Sequence, residues 1–281
     1  MYLHKISLLG LRPTNEDAEC FYLNLDNNDK SKKNINLIGI FDGHGGPLVS
    51  KYLSDKLPPY FYNKSIVPDS AKPSSTKYHK YIVKLFDFIQ EKIRNEIIES
   101  KLMGSTAIIA QIYKNSDKNS DRKKMQIINV GDCRAVLCNN YNIGIPLTKD
   151  HKPTSIEEFD RITKLGGKVT QLPNDDPRIG GLSVSRSIGD IDTKPYVSHQ
   201  PEIFDYDIND NDKFIILACD GLWDVFDNQS AVDFVLHEMK NNYKYNIITN
   251  SLKNNIAMKL ASDAIKRGST DNVSCMILFF K

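Results

Sequence analysis

The sequence predicts a mixed α+β domain built on antiparallel sheet. Six short segments rich in β-branched or aromatic residues, each bounded by turn formers, read as buried strands. Helical patterns lie among them without the strict strand–helix alternation of a parallel sheet. Two of the strands, MQIINV (125–130) and CRAVLC (133–138), are parted only by Gly131 and Asp132, which is hairpin spacing.

In chain order, INLIGIF (35–41) is the first strand, an almost unbroken apolar run. PLVSKYLSDKL (47–57) follows as a helix, its proline suited to a first turn. KYIVKLFDFIQEKIRNEIIES (80–100) repeats apolar residues every three or four positions, the mark of a long amphipathic helix. Strands TAIIAQIY (106–113), MQIINV and CRAVLC come next, then a helix over 155–167 with a serine start and a Gly-Gly stop. KFIILAC (213–219) and VSCMILFF (273–280) are the last two strands, with helical patterns over 228–240 and 254–268 between them. Polar inserts at 27–34, 114–124 and 239–246, rich in Lys, Asn, Ser and Asp, read as solvated loops. None reads as an interdomain linker, and no fixed repeat is visible.

A chain of 281 residues with 40% hydrophobic and 26% charged residues can bury a sizeable core. Its 37 basic and 35 acidic residues give a formal charge of +2, which offers no broad electrostatic attraction to nucleic acid. The five cysteines, Cys20, Cys133, Cys138, Cys219 and Cys275, show no CxxC spacing and read as buried free thiols of a reducing compartment. MYLHKISLLG has no positively charged leader, Tyr2 is not a myristoylation glycine, and VSCMILFF is too short for a transmembrane segment. An intracellular protein, cytoplasmic or nuclear, is expected.

The acids fall at strand ends. INLIGIF runs into Asp42, MQIINVG into Asp132 and KFIILAC into Asp220, while Asp271 stands just before VSCMILFF. Glu16 and Asp17 sit at the threshold of a further apolar stretch. Any one of these is an ordinary turn residue, above all Asp42 and Asp220, which precede glycines. Together they form a set that paired strands could bring to one rim. Carboxylates gathered there repel one another and need cations. Oxygen donors without a Cys/His set suit a hard ion such as Mg²⁺ or Mn²⁺ rather than Zn²⁺.

An ordered series of motifs spans nearly the whole chain: RPTNEDA (12–18), FDGHGG (41–46), GSTA (104–107), VGDCRA (130–135), DHKP (150–153), RIGGLSVSRSIGD (178–190), LACDGLWDV (217–225) and GSTDNVS (268–274). The series resembles the type 2C metal-dependent protein serine/threonine phosphatases. That resemblance implies one catalytic domain over residues 1–281, a four-layer sandwich of two antiparallel β-sheets flanked by helices on both outer faces. It also implies phosphoprotein substrates and two Mg²⁺ or Mn²⁺ ions per subunit, with a third, weaker site. Position by position, Asp42 would bridge the two ions and Gly43 would offer its carbonyl oxygen. Asp220 and Asp271 would bind one ion, and Glu16 would support the other directly or through water. Asp132 and Asp224 match the acids of the third site, while Asp17 and Asn272 would give close support. Arg12 would bind the substrate phosphate and His44 would be the general acid. A water bridging the two ions would attack phosphorus without a phospho-enzyme.

Taken without the resemblance, Arg12 is an ordinary surface arginine and His44 a turn histidine. Lys152, Arg161, Arg178 and Arg186 read as structural ion-pair partners, Trp223 as core packing, and Ser105 and Thr106 as turn residues or supports of the site. KVTQLPNDDP (168–177) leads into the region that forms a variable flap in relatives, so substrate preference is expected there. Two other readings stand beside phosphoprotein hydrolysis: an inactive relative serving as a binding module, and a hydrolase of small phosphate esters. No Walker-type loop supports a nucleotide version of the latter, and no metal acid is missing as the former would require.

Overall fold

The computed structural model describes residues 1–24, 34–67, 73–114, 123–173, 175–244 and 255–280. Two five-stranded sheets, antiparallel throughout, form its centre. The first runs Tyr2–Leu8, Val273–Phe279, Phe214–Ala218, Arg134–Cys138, Gly144–Pro146 in spatial order. The second runs Glu202–Asp207, Lys123–Val130, Ala107–Lys114, Ile35–Phe41, Ala18–Leu23. A small third sheet sets the two-residue strands Ile188–Gly189, Gly104–Ser105 and Gly43–His44 side by side.

Period-two alternation explains the layering. Ile38, Ile40, Ile108, Ala110 and Ile127 of one sheet meet Ile215, Leu217, Met276 and Leu278 of the other in a dry inter-sheet core. Their neighbours along the strands point the opposite way. Leu37, Phe41, Ile109 and Ile128 pack outward under Leu53, Ile82, Phe86 and Ile89 of the helices Leu48–Lys56 and Thr76–Glu96. On the far side, Ile216, Ala218, Cys275 and Ile277 pack under Val232, Val235, Leu260 and Ala264 of the helices Asn228–Lys244 and Ile256–Lys266. Helices therefore cover both outer faces, giving the expected four layers. Two helix starts are fixed by side-chain caps: Ser75 accepts from the Tyr78 amide and Asn255 from the Met258 amide. All five cysteines are buried free thiols.

Each of the six strands read from sequence is present within two residues of its expected bounds. The hairpin is not. Lys123–Val130 belongs to the second sheet and Arg134–Cys138 to the first, so the short Gly131–Cys133 link crosses between sheets. Gly131 makes the crossing with φ +109°, a backbone region that β-branched residues avoid. The long helix starts earlier than expected and ends at Glu96, giving way to a 3₁₀ turn over Ile98–Lys101. Four strands of the two large sheets went unread, Tyr2–Leu8, Ala18–Leu23, Gly144–Pro146 and Glu202–Asp207, all at sheet edges and only partly buried, as did the two-residue strands of the small sheet. The helix Asn228–Lys244 continues into the 239–246 stretch expected as loop; residues 245 and 246 lie outside the described residues. Most of the inserts at 27–34 and 114–124 also lie outside them, and residues 123 and 124 open a strand. Among the described residues no helix is long and apolar enough to cross a membrane.

Leu217 is fully buried between the sheets. Leu217→Ala should lower unfolding stability by about 2–5 kcal/mol, read from the urea midpoint. A loss below about 1 kcal/mol would contradict the two-sheet core.

Candidate active site

The strands deliver their acids to one end of the sandwich. Asp42 leaves Ile35–Phe41 and Asp132 follows Lys123–Val130 in the second sheet. Asp220 follows Phe214–Ala218 in the first, and Asp271 precedes Val273–Phe279 beside it. They open onto a cleft of about 370 Å³, whose wall also includes Arg12, Glu16, Gly43, His44, Arg178 and Asn272. Carboxylate oxygens of Asp42, Asp132 and Asp220 lie within 4.8 Å of one another. Asp17 is buried behind this wall. Asp224 stands one turn beyond Asp220, its amide donating to the Asp220 carbonyl at 2.8 Å.

Backbone placement of the acids is fixed by neighbours. Thr106 accepts from the Asp42 amide at 3.2 Å, and the Thr106 amide donates to the Asp42 carbonyl at 2.8 Å. Asn272 accepts from the Glu16 amide at 2.9 Å and donates to the carbonyls of Leu9 (2.8 Å) and Thr14 (3.0 Å). The loop carrying Arg12 and Glu16 is thereby tied to the strand that carries Asp271. Glu16 accepts from the Gly46 amide at 3.1 Å, and its carbonyl accepts from Ser50. Gly43 cannot be replaced without cost, because a Cβ there would stand 2.3 Å from that carbonyl.

Charge is unevenly compensated. Arg12 bonds Asp271 at 2.7 Å across the cleft mouth, and Lys152 pairs with buried Asp132. Burial works against the charge on Lys152, but Asp132, Asp220 and Asp224 together raise its pKa. Asp42 and Asp220 make no ion pair among the described residues. Burial and then Asp220, Asp17, Asp132 and Asp271 push the Asp42 carboxyl far above the usual carboxylate range. Burial, Asp132 and Asp224 do the same to Asp220. Burial pushes Asp17 up to about 6, and one of its oxygens, Oδ2, has no hydrogen-bond partner. Two like charges in contact and an orphaned buried oxygen are what a bound cation would relieve. The donors are oxygens, which suits a hard divalent ion. Cys219 also approaches Asp17 and Asp42, but burial pushes its thiol well up and it is held between the Asn272 carbonyl and the Ser274 amide.

The expected supporting roles fall into place around this cleft. Arg161 and Arg186 clamp Glu158, and Arg178 pairs with Asp175 while also facing the cleft. Trp223 is packed, its indole N–H on the Ala218 carbonyl at 2.9 Å. The sequence reading missed Asp190, whose carboxylate meets His44 Nε2 at 2.7 Å. Its strand is two residues long, so the acid-at-strand-end signal was invisible there.

A family model described as protein phosphatase 2C matches residues 5–273. A PP2C-like domain-containing protein of Acanthamoeba polyphaga mimivirus is 49% identical over 174 residues, which are 57% of this chain and 97% of that protein. Probable protein phosphatase 2C 44 of Oryza sativa subsp. japonica is 34% identical over 279 residues, 94% of this chain and 74% of the relative. The crystal structure of serine-threonine phosphatase 2C from Toxoplasma gondii superposes with a TM-score of 0.77 at 24% identity, covering 99% of this chain and 94% of that one. The class is therefore that of the metal-dependent serine/threonine protein phosphatases. Within it, the chain belongs to the protein phosphatase 2C family.

A carboxyl whose pKa is higher in the folded than in the unfolded state binds extra protons on folding. Its contribution to stability is lost as pH rises from about 4, the unfolded value, through the folded value. For Asp17 that upper limit is about 6. In chelator-treated protein, added Mn²⁺ should therefore raise Tm by about 5–10 °C near pH 7.5 at 100 times Kd, and by clearly less near pH 5. Equal shifts at both pH values would contradict a carboxylate cation site.

Proposed function

We propose that the cleft hydrolyses phosphoserine and phosphothreonine in proteins with two bound divalent ions, Mg²⁺ or Mn²⁺, and without a phospho-enzyme. The observation that carries this is the pair Asp42 and Asp220, buried among Asp132 and Asp271 at the centre of the cleft with no ion pair to either among the described residues. Asp42 would bridge the two ions, with the Gly43 carbonyl beside it. Asp220 and Asp271 would complete one ion's set and Glu16 the other's. Asp132 is already charge-matched by Lys152, which fits it, with Asp224, to a third and weaker site. Asp17 and Asn272 support the floor from behind. When bound, the ions supply positive charge to the phosphoryl oxygens and lower the pKa of the attacking water toward neutrality.

The chain's own side chains do the rest. Arg12 reaches over the cleft with a planar fork of five donors, of which one bond holds Asp271. The free donors can take two phosphoryl oxygens and aim phosphorus at the floor of the cleft. His44 lies on the same wall and gives a proton to the departing serine or threonine oxygen. Bond cleavage then releases an alcohol rather than an alkoxide, which matters for a poor alkyl leaving group and little for an activated aryl one.

Turnover of a phosphothreonine peptide should require Mn²⁺ or Mg²⁺, stop with chelator, and fall by more than about 100-fold in Asp42→Asn. Equal rates in all three samples would remove the metal mechanism. No peptide turnover beside rapid release from small esters would instead favour a small-ester hydrolase. His44→Ala should slow the peptide at least about tenfold more than p-nitrophenyl phosphate. Equal slowing of both substrates would remove His44 as general acid.

A further inference from the structure

His44 is not a lone histidine. It lies on the edge strand Gly43–His44 of the small sheet, with Gly104 directly opposite on the central strand. Gly189, on the far edge strand, pairs with the same Gly104. Asp190 follows Gly189, turns back in the left-handed region at φ +45°, and reaches over Gly104 to His44 Nε2. Gly104 is what makes this reach possible. A Cβ on it would lie 1.9 Å from Asp190 Oδ2 and 2.5 Å from His44 Nε2, inside the bond between them.

Asp190 is 1% exposed, and its surroundings are built to hold it. Its amide donates to the Met103 carbonyl at 2.9 Å, and its carbonyl accepts from the Thr193 hydroxyl at 2.8 Å. Ser187 donates its hydroxyl to the same Oδ2 that faces His44. Buried Gln90, on the long helix, bonds both the amide and the carbonyl of Gly189 at 2.9 Å. Lys194 Nζ, bonded to the Ser187 carbonyl at 2.9 Å, is the nearby cation. A buried carboxylate held by this many bonds is costly unless its charge meets a partner. The partner it meets is the imidazole.

We propose that Asp190 is the positioning residue of the reaction, fixing His44 through Nε2 so that Nδ1 is the ring nitrogen presented to the leaving oxygen. Among the described residues Nδ1 has no hydrogen-bond partner. With Nε2–H on Asp190, the proton available to the leaving oxygen is the one on Nδ1, and the buried carboxylate holds the ring plane. In the step itself, the phosphorus–oxygen bond to serine or threonine breaks and the leaving oxygen takes the electron pair. That oxygen receives the proton from Nδ1, leaving neutral imidazole still bonded to Asp190. Water supplies the new oxygen on phosphorus. The aspartate orients and stabilises without itself taking the proton, as an aspartate behind a catalytic histidine does elsewhere.

This inference rests on the general-acid reading of His44, and the test separates the two. Steady-state kinetics with saturating Mn²⁺ would compare a phosphothreonine peptide with p-nitrophenyl phosphate for His44→Ala, Asp190→Asn, Gly104→Ala and the double variant His44→Ala/Asp190→Asn. Asparagine tolerates the left-handed backbone at 190, and Gly104→Ala wedges the pair without changing charge. Asp190→Asn and Gly104→Ala, like His44→Ala, should each lose about 10–100-fold in kcat on the peptide with KM nearly unchanged, and less than about threefold on the aryl ester. Asp190→Asn should add nothing in the His44→Ala background. If His44→Ala is selective for the peptide but Asp190→Asn and Gly104→Ala slow both substrates alike, Asp190 is structural and the proposal fails alone. If His44→Ala is itself unselective, the general-acid reading falls and takes this proposal with it.

Discussion

Repulsion among buried carboxylates is the constraint on which the rest of this molecule depends. Asp42 and Asp220 come from different sheets, yet Asp220 raises the proton affinity of Asp42, and Asp132 and Asp271 raise that of both. A fold that spends strand ends in this way needs positive charge at the same point. Arg12 and Lys152 supply part of it, and they do so at the periphery, against Asp271 and Asp132. The two acids at the centre make no ion pair among the described residues, and Lys152 offsets only part of the repulsion at Asp220.

The sandwich exists to set that geometry. Its inter-sheet core of Ile, Leu and Met holds the strands in fixed register, so their ends are fixed as well. The crossing from Lys123–Val130 to Arg134–Cys138 shows the economy of the arrangement. A tight hairpin would have kept Asp132 on one sheet, whereas the change of sheets at Gly131 sets it in the gap between them. Glycine serves the site a second way at Gly43 and Gly104, where another group approaches too closely for any side chain.

Buried strands were legible because their apolar runs are nearly unbroken, as in INLIGIF and KFIILAC. The partners of those strands were not. Spacing alone read residues 125–138 as a hairpin, since sheet membership depends on long-range packing that a two-residue gap does not encode. Edge strands such as Tyr2–Leu8 escaped because half-buried residues blur the alternation. At the site, residues in motifs were legible through the resemblance. The cluster's depth, the pairing of Arg12 with Asp271 and the role of Gly104 needed coordinates. Asp190 closes the quoted RIGGLSVSRSIGD motif, but nothing in one sequence says that a histidine 146 positions away is its partner.

The most direct measurement is the number of divalent ions the protein holds. Calorimetric titration of chelator-treated protein with Mn²⁺ should show two tight sites per chain, with protons released as carboxyls give up theirs. Asp42→Asn, which removes the charge shared by both proposed sites while keeping the shape, should abolish both together. Two sites of unchanged affinity in that variant would contradict the account.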